Sequence, residues 1–273
     1  MSKQKTLQEK LDTIAKFTLM DDTFFEAFAE DVKAVQEILR VILNDENLIV
    51  LKIYPQKQIR NLYGRSVRLD AICKLGDGRI VEIEIQNEDN DNHVKRVFFN
   101  AAQIMVRNSQ TGTNFDELPY IIVVFISKFD PFGDGLQAYH PELVIRETGK
   151  VINDGTEFIF VNAEANDGSR LARLMKCMQE RELNDPEFPE ITRRFHQLKH
   201  EEEGVIRMCK VMEEYTAETR AEALAQGEAN GLYKGLLSGK IQIYYNEMHL
   251  TPQEIAEKLN VTEEKVREVI ATL

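Results

Sequence analysis

The segment RIVEIEIQNED, residues 79–89, carries residue types that could hold a metal ion. Its alternation of apolar and polar side chains predicts a β-strand, because successive side chains of a strand point to opposite faces. One face is then apolar core, and the other carries Glu82, Glu84 and Gln86. Two carboxylates and a carboxamide on one face offer the oxygen ligands that a hard divalent cation such as Mg²⁺ prefers.

A further carboxylate, Asp70, is predicted to join this face through the preceding turn. A three-residue loop at 76–78, with its last glycine in the left-handed conformation, pairs Asp70 with Glu84 and Arg68 with Gln86. Paired residues of an antiparallel ladder project to the same face, with Cβ atoms about 4.5–5.5 Å apart. A two-residue loop would instead shift the register and separate the two carboxylates. The prediction therefore depends on the length of this loop.

Neighbouring carboxylates repel each other, and a bound cation would remove that repulsion. Glu82 and Glu84 are about 6.6 Å apart on a strand that rises about 3.3 Å per residue. We expect Asp70 and Glu84 to share one ion, with Glu82 at the edge of reach. Such an ion could activate water and offset charge on a phosphate. The alternation alone also fits a solvent-exposed polar face balanced by Arg68 and Lys74.

A basic stretch lies beside these acids in a chain of formal net charge −12. From residue 51 to 74 the single acid Asp70 is accompanied by six basic residues, Lys52, Lys57, Arg60, Arg65, Arg68 and Lys74. The overall acidity argues against passive attraction to nucleic acid, so DNA contacts would have to come from such a local patch. A solvated loop next to a strand is the alternative interpretation.

Hydrophobic periodicity indicates the elements that would position these residues. It predicts a helix at 22–43 with an aspartate N-cap, a strand at 47–55 ended by Pro55, strands at 66–75 and 79–86, a helix at 92–108, a buried strand at 119–129, and weaker strands at 142–147 and 157–162. The order α-β-β-β-α-β is that of an α/β domain with a mixed sheet flanked by helices.

The pattern becomes helical beyond residue 168, which predicts a helical C-terminal extension. Glycines recur every fourth residue from Gly227 to Gly239. This spacing permits close helix packing, and with it a homo-oligomer through the helical C-terminal part, but glycine also weakens a helix toward a hinge. The final segment has the rhythm of a helix-turn-helix. We expect an α/β domain at 15–168, a helical extension at 169–240 and a helix-turn-helix-like segment at 241–273.

Composition places the chain among globular proteins, with 43% hydrophobic and 29% charged residues. The chain contains no run of 18 apolar residues, so no membrane span is predicted. The N-terminus has no signal-peptide pattern. The cysteines, Cys73, Cys177 and Cys209, are odd in number and form no CxxC pair. This usage predicts a reducing compartment without a disulfide or zinc framework, and hence a cytoplasmic protein with no membrane partner.

Several segments together resemble one protein family. RLD, followed about a dozen residues later by VEIEIQ, resembles the Asp…Glu-x-Gln variant of the PD-(D/E)XK nuclease core. More specifically, the chain resembles the PD-(D/E)XK family of transposases, also called recombination-promoting nucleases. MDDTFFEAFAED resembles that family's opening helix, VKRVFFNAAQIM and LPYIIVVFISKFDPF its later helix and core strand, and TPQEIAEKLNVTEEKV its tails. The resemblance covers most of the chain.

The resemblance implies a restriction-endonuclease-like core at 15–168 and hydrolysis of DNA phosphodiesters with Mg²⁺, for which Mn²⁺ could substitute. Asp70 and Glu84 match the metal-binding acids, and Gln86 matches the last motif position, where the founding pattern has lysine. Glutamine can orient water by hydrogen bonding but contributes no charge. Glu82 is an additional acid, either a further metal ligand or only a residue that flanks the motif. Most relatives of this fold leave 5′-phosphate and 3′-hydroxyl ends, which we expect here.

We therefore expect a Mg²⁺-dependent DNA endonuclease linked to recombination or mobile elements. The basic residues expected to hold the DNA backbone are Lys52, Lys57, Arg60, Arg65 and Arg68. One alternative is a DNA-binding or adaptor protein that keeps the fold without useful catalysis, which metal-dependent cleavage would exclude. Another is a protein-interaction module that assembles through its helical tail. Loss of DNA binding on charge reversal at Arg60 or Arg68 would count against this second alternative.

Overall fold

The computed structural model of the 273-residue chain describes residues 7–59, 67–89, 92–109, 112 and 114–272. The described helices are α1 (Leu7–Ile14), α2 (Asp22–Phe28), α3 (Val32–Ile42), α4 (His93–Asn108), α5 (Arg170–Gln179), α6 (Pro189–His200), α7 (Glu202–Asn246), α8 (Pro252–Leu259) and α9 (Glu263–Ile270), with a 3₁₀ turn at Phe115–Glu117. The described strands are β1 (Val50–Ile59), β2 (Val67–Leu75), β3 (Ile80–Gln86), β4 (Ile121–Ser127), β5 (Ala138–Tyr139), β6 (Val144–Ile145), β7 (Lys150–Val151) and β8 (Thr156–Asn162).

A six-stranded mixed sheet organises the first part of the chain. Its strand order is β1-β2-β3-β4-β8-β5. The pairs β1–β2, β2–β3 and β5–β8 are antiparallel, whereas β3–β4 and β4–β8 are parallel. Strands β6 and β7 form a separate hairpin. The predicted α-β-β-β-α-β order and the restriction-endonuclease-like fold class are therefore confirmed.

Each face of this sheet has its own hydrophobic core. One face packs against α2, α3, α5 and α6, and it includes the apolar residues of β3, Val81, Ile83 and Ile85. The opposite face packs against α4 through Val97 and Ile104. Helix α4 lies between β3 and β4 in the chain, and it has to cross a sheet face because those two strands are parallel. The polar face of β3 is consequently the face that α4 covers.

Two predicted boundaries were wrong for identifiable physical reasons. The helix predicted at 22–43 is two helices, because Asp31 has extended backbone angles and its carboxylate accepts the N–H groups of Lys33 and Ala34 as an N-cap. The strand predicted to end at Pro55 continues to Ile59. Strand β1 is at the sheet edge, where a proline without an N–H is tolerated.

The described helical region also differs from the prediction at two places. The helix expected from about residue 190 is interrupted at Glu201, which has extended backbone angles. Helix α7 then continues through the glycines 227–239 to Asn246. A Cβ atom at any of these four glycines would meet no atom within 4 Å in the described chain. These glycines therefore leave room for close packing against a second copy of the chain. The homo-oligomer stays a prediction.

The chain divides into two compact units, Met1–Met212 and Glu213–Leu273. The second unit has a small core in which Ile241, Ile255 and Val266 are fully buried. Thr251 caps α8 in a reciprocal capping box with Glu254, and Asn260 ends that helix in the left-handed conformation. The predicted helix-turn-helix rhythm thus forms a packed helix pair.

The predicted domain limits 15–168, 169–240 and 241–273 stay predictions, and the boundary between the two compact units coincides with none of them. Helices α5 and α6 nevertheless contribute Leu174, Ile191 and Phe195 to the core of the first unit. We find no helix among the described residues with both the length and the apolar composition needed to cross a bilayer.

Candidate active site

The turn between β2 and β3 has the three-residue form on which the predicted site depends. The Leu75 N–H donates to the Arg79 carbonyl at 2.9 Å, which closes the loop at 76–78. Gly78 has φ +93°, a conformation that costs an L-residue energy and that glycine adopts readily. The resulting register places Ile72 opposite Glu82, as the three-residue loop requires.

The ladder between β2 and β3 ends one pair before the predicted site residues. Its last described pair is Ala71 with Ile83. The described ladder therefore has the predicted register but stops before Asp70–Glu84 and Arg68–Gln86, so these two pairs stay predictions.

The Asp70 side chain explains where the ladder stops. In a continued ladder the Ile85 N–H would face the Leu69 carbonyl, since hydrogen-bonded pairs alternate along antiparallel strands. The Ile85 N–H instead donates to Asp70 Oδ2 at 2.8 Å. This contact holds the half-buried Asp70 carboxylate beside the backbone of the residue that follows Glu84. Asp70 is thus anchored to the acidic strand by a side-chain contact, and its grouping with Glu84 stays a prediction.

The polar face of β3 is buried. Glu82 is 0% exposed and Glu84 is 1% exposed, while Gln86 at the strand end is half-buried. Glu82 lies between Ile72 of β2 and Val123 of β4, and both neighbours are apolar and buried. The alternative of a solvent-exposed polar face was therefore wrong. Two carboxylates that merely covered a surface would not be placed beneath a helix, where ionisation is costly.

Asn100 of α4 is the described hydrogen-bond partner of Glu82. Its Nδ2 donates to Glu82 Oε1 at 2.8 Å, and both side chains are buried. Burial raises the pKa of Glu82 to about 8, against the lowering effects of the Asn100 hydrogen bond and the Arg96 charge, while the nearby Asp70 charge raises it further. Glu82 is thus close enough to Asp70 for their charges to interact.

Arg96, also on α4, links the other two polar residues of β3. Its guanidinium is ion-paired with Glu84 Oε1, and its Nη1 donates to Gln86 Oε1 at 2.7 Å. Gln86 Nε2 in turn donates to the Glu88 carbonyl at 2.9 Å. One guanidinium from a different element therefore supplies positive charge beside both Glu84 and Gln86.

The donor set suits a divalent cation. Among the described residues, Glu82 Oε2 and Glu84 Oε2 are buried and have no hydrogen-bond partner. Buried carboxyl oxygens without partners are costly, and a metal ion is one way to satisfy them. Carboxylate oxygens are the ligands that Mg²⁺ and Mn²⁺ take. The residues present therefore fit such an ion.

The fit rests on few protein ligands. Within the described ranges, no three or more histidine, cysteine, aspartate or glutamate residues are grouped so that they could hold a metal ion together. Mg²⁺ commonly binds through one or two carboxylates and keeps several waters, so a small ligand set is typical of it. The role of Glu82 as a further ligand stays a prediction.

The predicted DNA-binding residues are only partly within the described structure. Arg60 and Arg65 lie outside the described residues, and for Lys57 and Arg68 the description covers the backbone but not the side chain. Lys52 is exposed, with its Nζ 4.7 Å from the centre of the Tyr54 ring.

The β1–β2 ladder pairs Lys52 with Lys74, which is also exposed. Lys74 and Arg107 line the same cavity of about 110 Å³, together with Tyr54. Lys74 lies opposite Ile80, which places it about 13 Å along the strand from Glu84 at about 3.3 Å per residue. Three positive charges therefore lie on the α4 side of the sheet.

The sequence interpretation missed Arg96 and Asn100. Both precede core residues of α4, Val97 and Ala101, and their spacing of four places them on one side of the helix. That spacing, on a helix that has to cross the acidic face, was the available signal. The C-terminal helix α9 offers less positive charge for DNA contacts, because its basic residues Lys265 and Arg267 are paired with acids of the same helix.

Comparison with known proteins gave one match. The family model described as PD-(D/E)XK nuclease family transposase matches residues 18–221 of the 273. No curated protein matched the chain, and no solved structure did. The matched range contains all of the site residues, the whole six-stranded sheet and helix α4.

Proposed function

Because the match spans most of its length, the chain belongs to the PD-(D/E)XK nuclease family transposases, and we propose that it is a metal-dependent endonuclease that hydrolyses DNA phosphodiester bonds. Membership implies a nuclease linked to mobile elements. The observation that supports the finer proposal is the buried pair Glu82 and Glu84, each with an oxygen that lacks a hydrogen-bond partner among the described residues. DNA is the proposed substrate, and a cytoplasmic location is part of the proposal.

In this proposal Asp70 and Glu84 hold Mg²⁺ or Mn²⁺, and Glu82 completes the acidic surroundings. A bound divalent ion would polarise the scissile phosphate and lower the pKa of a coordinated water. The Ile85 N–H fixes the orientation of the Asp70 carboxylate, and Asn100 does the same for Glu82. Water adds to the phosphorus, and the bond from phosphorus to the 3′ oxygen breaks, which leaves 5′-phosphate and 3′-hydroxyl ends.

Gln86 is proposed to orient the attacking water. Its Oε1 accepts from Arg96, and a carboxamide oxygen has a second lone pair with which it can accept from water. Gln86 contributes no charge, so the positive charge near the phosphate has to come from arginine or lysine side chains. Arg96 is the described side chain in contact with both Gln86 and Glu84.

We further propose that the DNA backbone lies over the α4 side of the sheet, where Lys52, Lys74 and Arg107 are found. Lys57, Arg60, Arg65 and Arg68 would extend this surface from the same stretch of sequence. The chain has a formal net charge of −12, so its overall charge repels DNA and only local basic side chains attract it. Such binding should weaken steeply as the salt concentration rises.

The test is cleavage of supercoiled plasmid in Mg²⁺, Mn²⁺, Ca²⁺ or EDTA. Asp70→Asn and Glu84→Gln remove one ligand charge each with little change in volume, and Glu88→Gln is the matched control because Glu88 is exposed and outside the proposed site. The proposal expects cleavage only in Mg²⁺ or Mn²⁺, its loss in both site variants and its retention in the control. Cleavage that survives both site variants would overturn the assignment.

A DNA-binding protein without useful catalysis is the second candidate. The contact of Arg96 with Glu84 favours it, because this guanidinium already neutralises one of the two proposed ligands. Folded protein that binds DNA in a salt-dependent manner, yet leaves plasmid intact with every metal, would establish this candidate in place of the first.

A further inference from the structure

Arg96 occupies a position that connects the two ends of the candidate site. Its backbone N–H donates to the carbonyl of Asn92 at 3.0 Å, in the first turn of α4. From there its guanidinium reaches Glu84 and Gln86, which are two residues apart on the same face of β3. A planar guanidinium has several N–H groups in a fixed fork, so it can bind both oxygens at once.

The two partners differ in how easily they could separate. Glu84 is 1% exposed and is held on a central strand, whereas the Arg96 side chain is 44% exposed. A buried carboxylate needs a positive partner, because an unpaired buried charge is costly. An arginine at the surface can move into water at much lower cost. Arg96 is therefore the replaceable partner of this pair.

A divalent cation at the site would have to use the same carboxylate. Glu84 has two oxygens: Oε1 faces Arg96, and Oε2 has no hydrogen-bond partner among the described residues. A metal on either oxygen would lie within a few ångströms of the guanidinium. At about 5 Å, even with the screening of water, the repulsion between a divalent and a monovalent cation weakens binding by about tenfold.

We propose that Arg96 is an internal competitor of the metal: it neutralises Glu84 in the metal-free protein, and a divalent cation binds Glu84 by displacing it. The same displacement removes the Arg96 hydrogen bond from Gln86 Oε1, so both lone pairs of that oxygen can then accept from water. This inference rests on the proposed metal site, but it concerns how the site is regulated and makes no claim about the rate of hydrolysis.

The experiment is calorimetric titration of Mn²⁺ and of Mg²⁺ into metal-free full-length protein. Arg96→Gln should bind about tenfold more tightly than the wild type, and Arg96→Lys should lie between them, since a lysine keeps the charge but lacks the fork. Lys95→Gln, an exposed cation beside Arg96 on the same helix, should equal the wild type. Glu84→Gln should lose binding. An affinity of Arg96→Gln equal to or weaker than that of the wild type overturns the proposal.

A second readout covers the case in which Arg96→Gln folds poorly without metal. The rise in the unfolding midpoint Tm on adding Mn²⁺ should increase from the wild type to Arg96→Lys, because the weaker competitor leaves more of the metal's binding energy available for stability. The Lys95→Gln protein should show the wild-type rise. An equal or smaller rise in Arg96→Lys contradicts the competition.

These measurements separate this inference from the proposed activity. If Arg96→Gln binds Mn²⁺ more tightly than the wild type does, and the wild type cleaves no plasmid with any metal, the competition is supported and the nuclease is overturned. Metal-dependent cleavage with unchanged metal affinity in Arg96→Gln supports the nuclease and overturns the competition. If neither the wild type nor Arg96→Gln binds Mn²⁺, both the metal site and the competition are wrong.

Discussion

The side chains of Glu82 and Asn100 form a hydrogen bond of 2.8 Å between two buried residues, one on strand β3 and the other on helix α4. Glu82 has apolar neighbours on both adjacent strands, so Asn100 is the polar group that makes its burial tolerable in the metal-free protein. The contact also fixes the height at which α4 lies over the acidic face. It thereby positions Arg96, one helical turn away.

Replacement of Asn100 by alanine should destabilise the protein. The Glu82 carboxyl would lose its described hydrogen-bond partner in a buried site, which typically costs about 1–3 kcal/mol. Urea denaturation with EDTA present measures this change in the free energy of unfolding. Gln103→Ala on the same helix is the control, and we expect it to change stability by less than about 0.5 kcal/mol. Equal effects of the two variants would show that the Glu82 contact contributes nothing.

Stability in EDTA should decrease as the pH rises from about 5 to 8. Burial raises the pKa of Glu82 to about 8, so the folded protein holds a proton that the unfolded chain, with a glutamate pKa near 4.5, releases. Stability from this group is complete below the unfolded value and is lost as the pH rises through the folded value, by up to about 1.4 kcal/mol per pH unit.

Glu82→Gln tests this pH dependence, because glutamine resembles the protonated carboxyl and does not titrate. The variant should have a flatter pH profile of stability and should be more stable than the wild type at pH 8.5. Urea denaturation at several pH values, in buffers of constant ionic strength, measures both. Parallel profiles of the two proteins would mean that other groups cause the dependence.

Substitutions of Asp70 should separate its structural role from its proposed metal-binding role. Asp70→Ala removes the acceptor of the buried Ile85 N–H, which should cost about 1–3 kcal/mol of stability. Asp70→Asn keeps an oxygen that can accept this bond and should remain close to the wild type in stability. Both variants should lose metal-dependent cleavage. Full activity of a stable Asp70→Asn protein would remove Asp70 from the set of metal ligands.

The turn that sets the register should be sensitive at only one of its two glycines. Gly78→Ala places an L-residue at φ +93°, which should cost about 1–2 kcal/mol. At Gly76 an added Cβ would meet its closest atom, Ile49 Cβ, at 3.5 Å, an ordinary contact. Thermal or urea unfolding of the two variants measures the difference. A Gly76→Ala protein less stable than Gly78→Ala would contradict the proposed geometry of the turn.

Much of the fold could be predicted from local patterns. Alternation in residues 79–89 identifies β3 and its two faces, and the two glycines at 76 and 78 indicate the loop length that sets its register with β2. The boundary errors came from interactions that periodicity does not carry. Asp31 starts a new helix by capping it, and Pro55 is tolerated because β1 turned out to be an edge strand.

The period of a strand and the turn chemistry are local properties, so they already specify which residues share the acidic face. What that face contacts depends on how distant elements pack. Helix α4 crosses it and buries Glu82 and Glu84, since parallel pairing of β3 with β4 requires a crossover. Burial then decides the charge state of Glu82 and makes Arg96 and Asn100 the polar partners of the site. The hydrogen bonds of Arg96 and Asn100 to strand β3 join residues that are 10 and 18 positions apart in the chain, and packing alone brings them together.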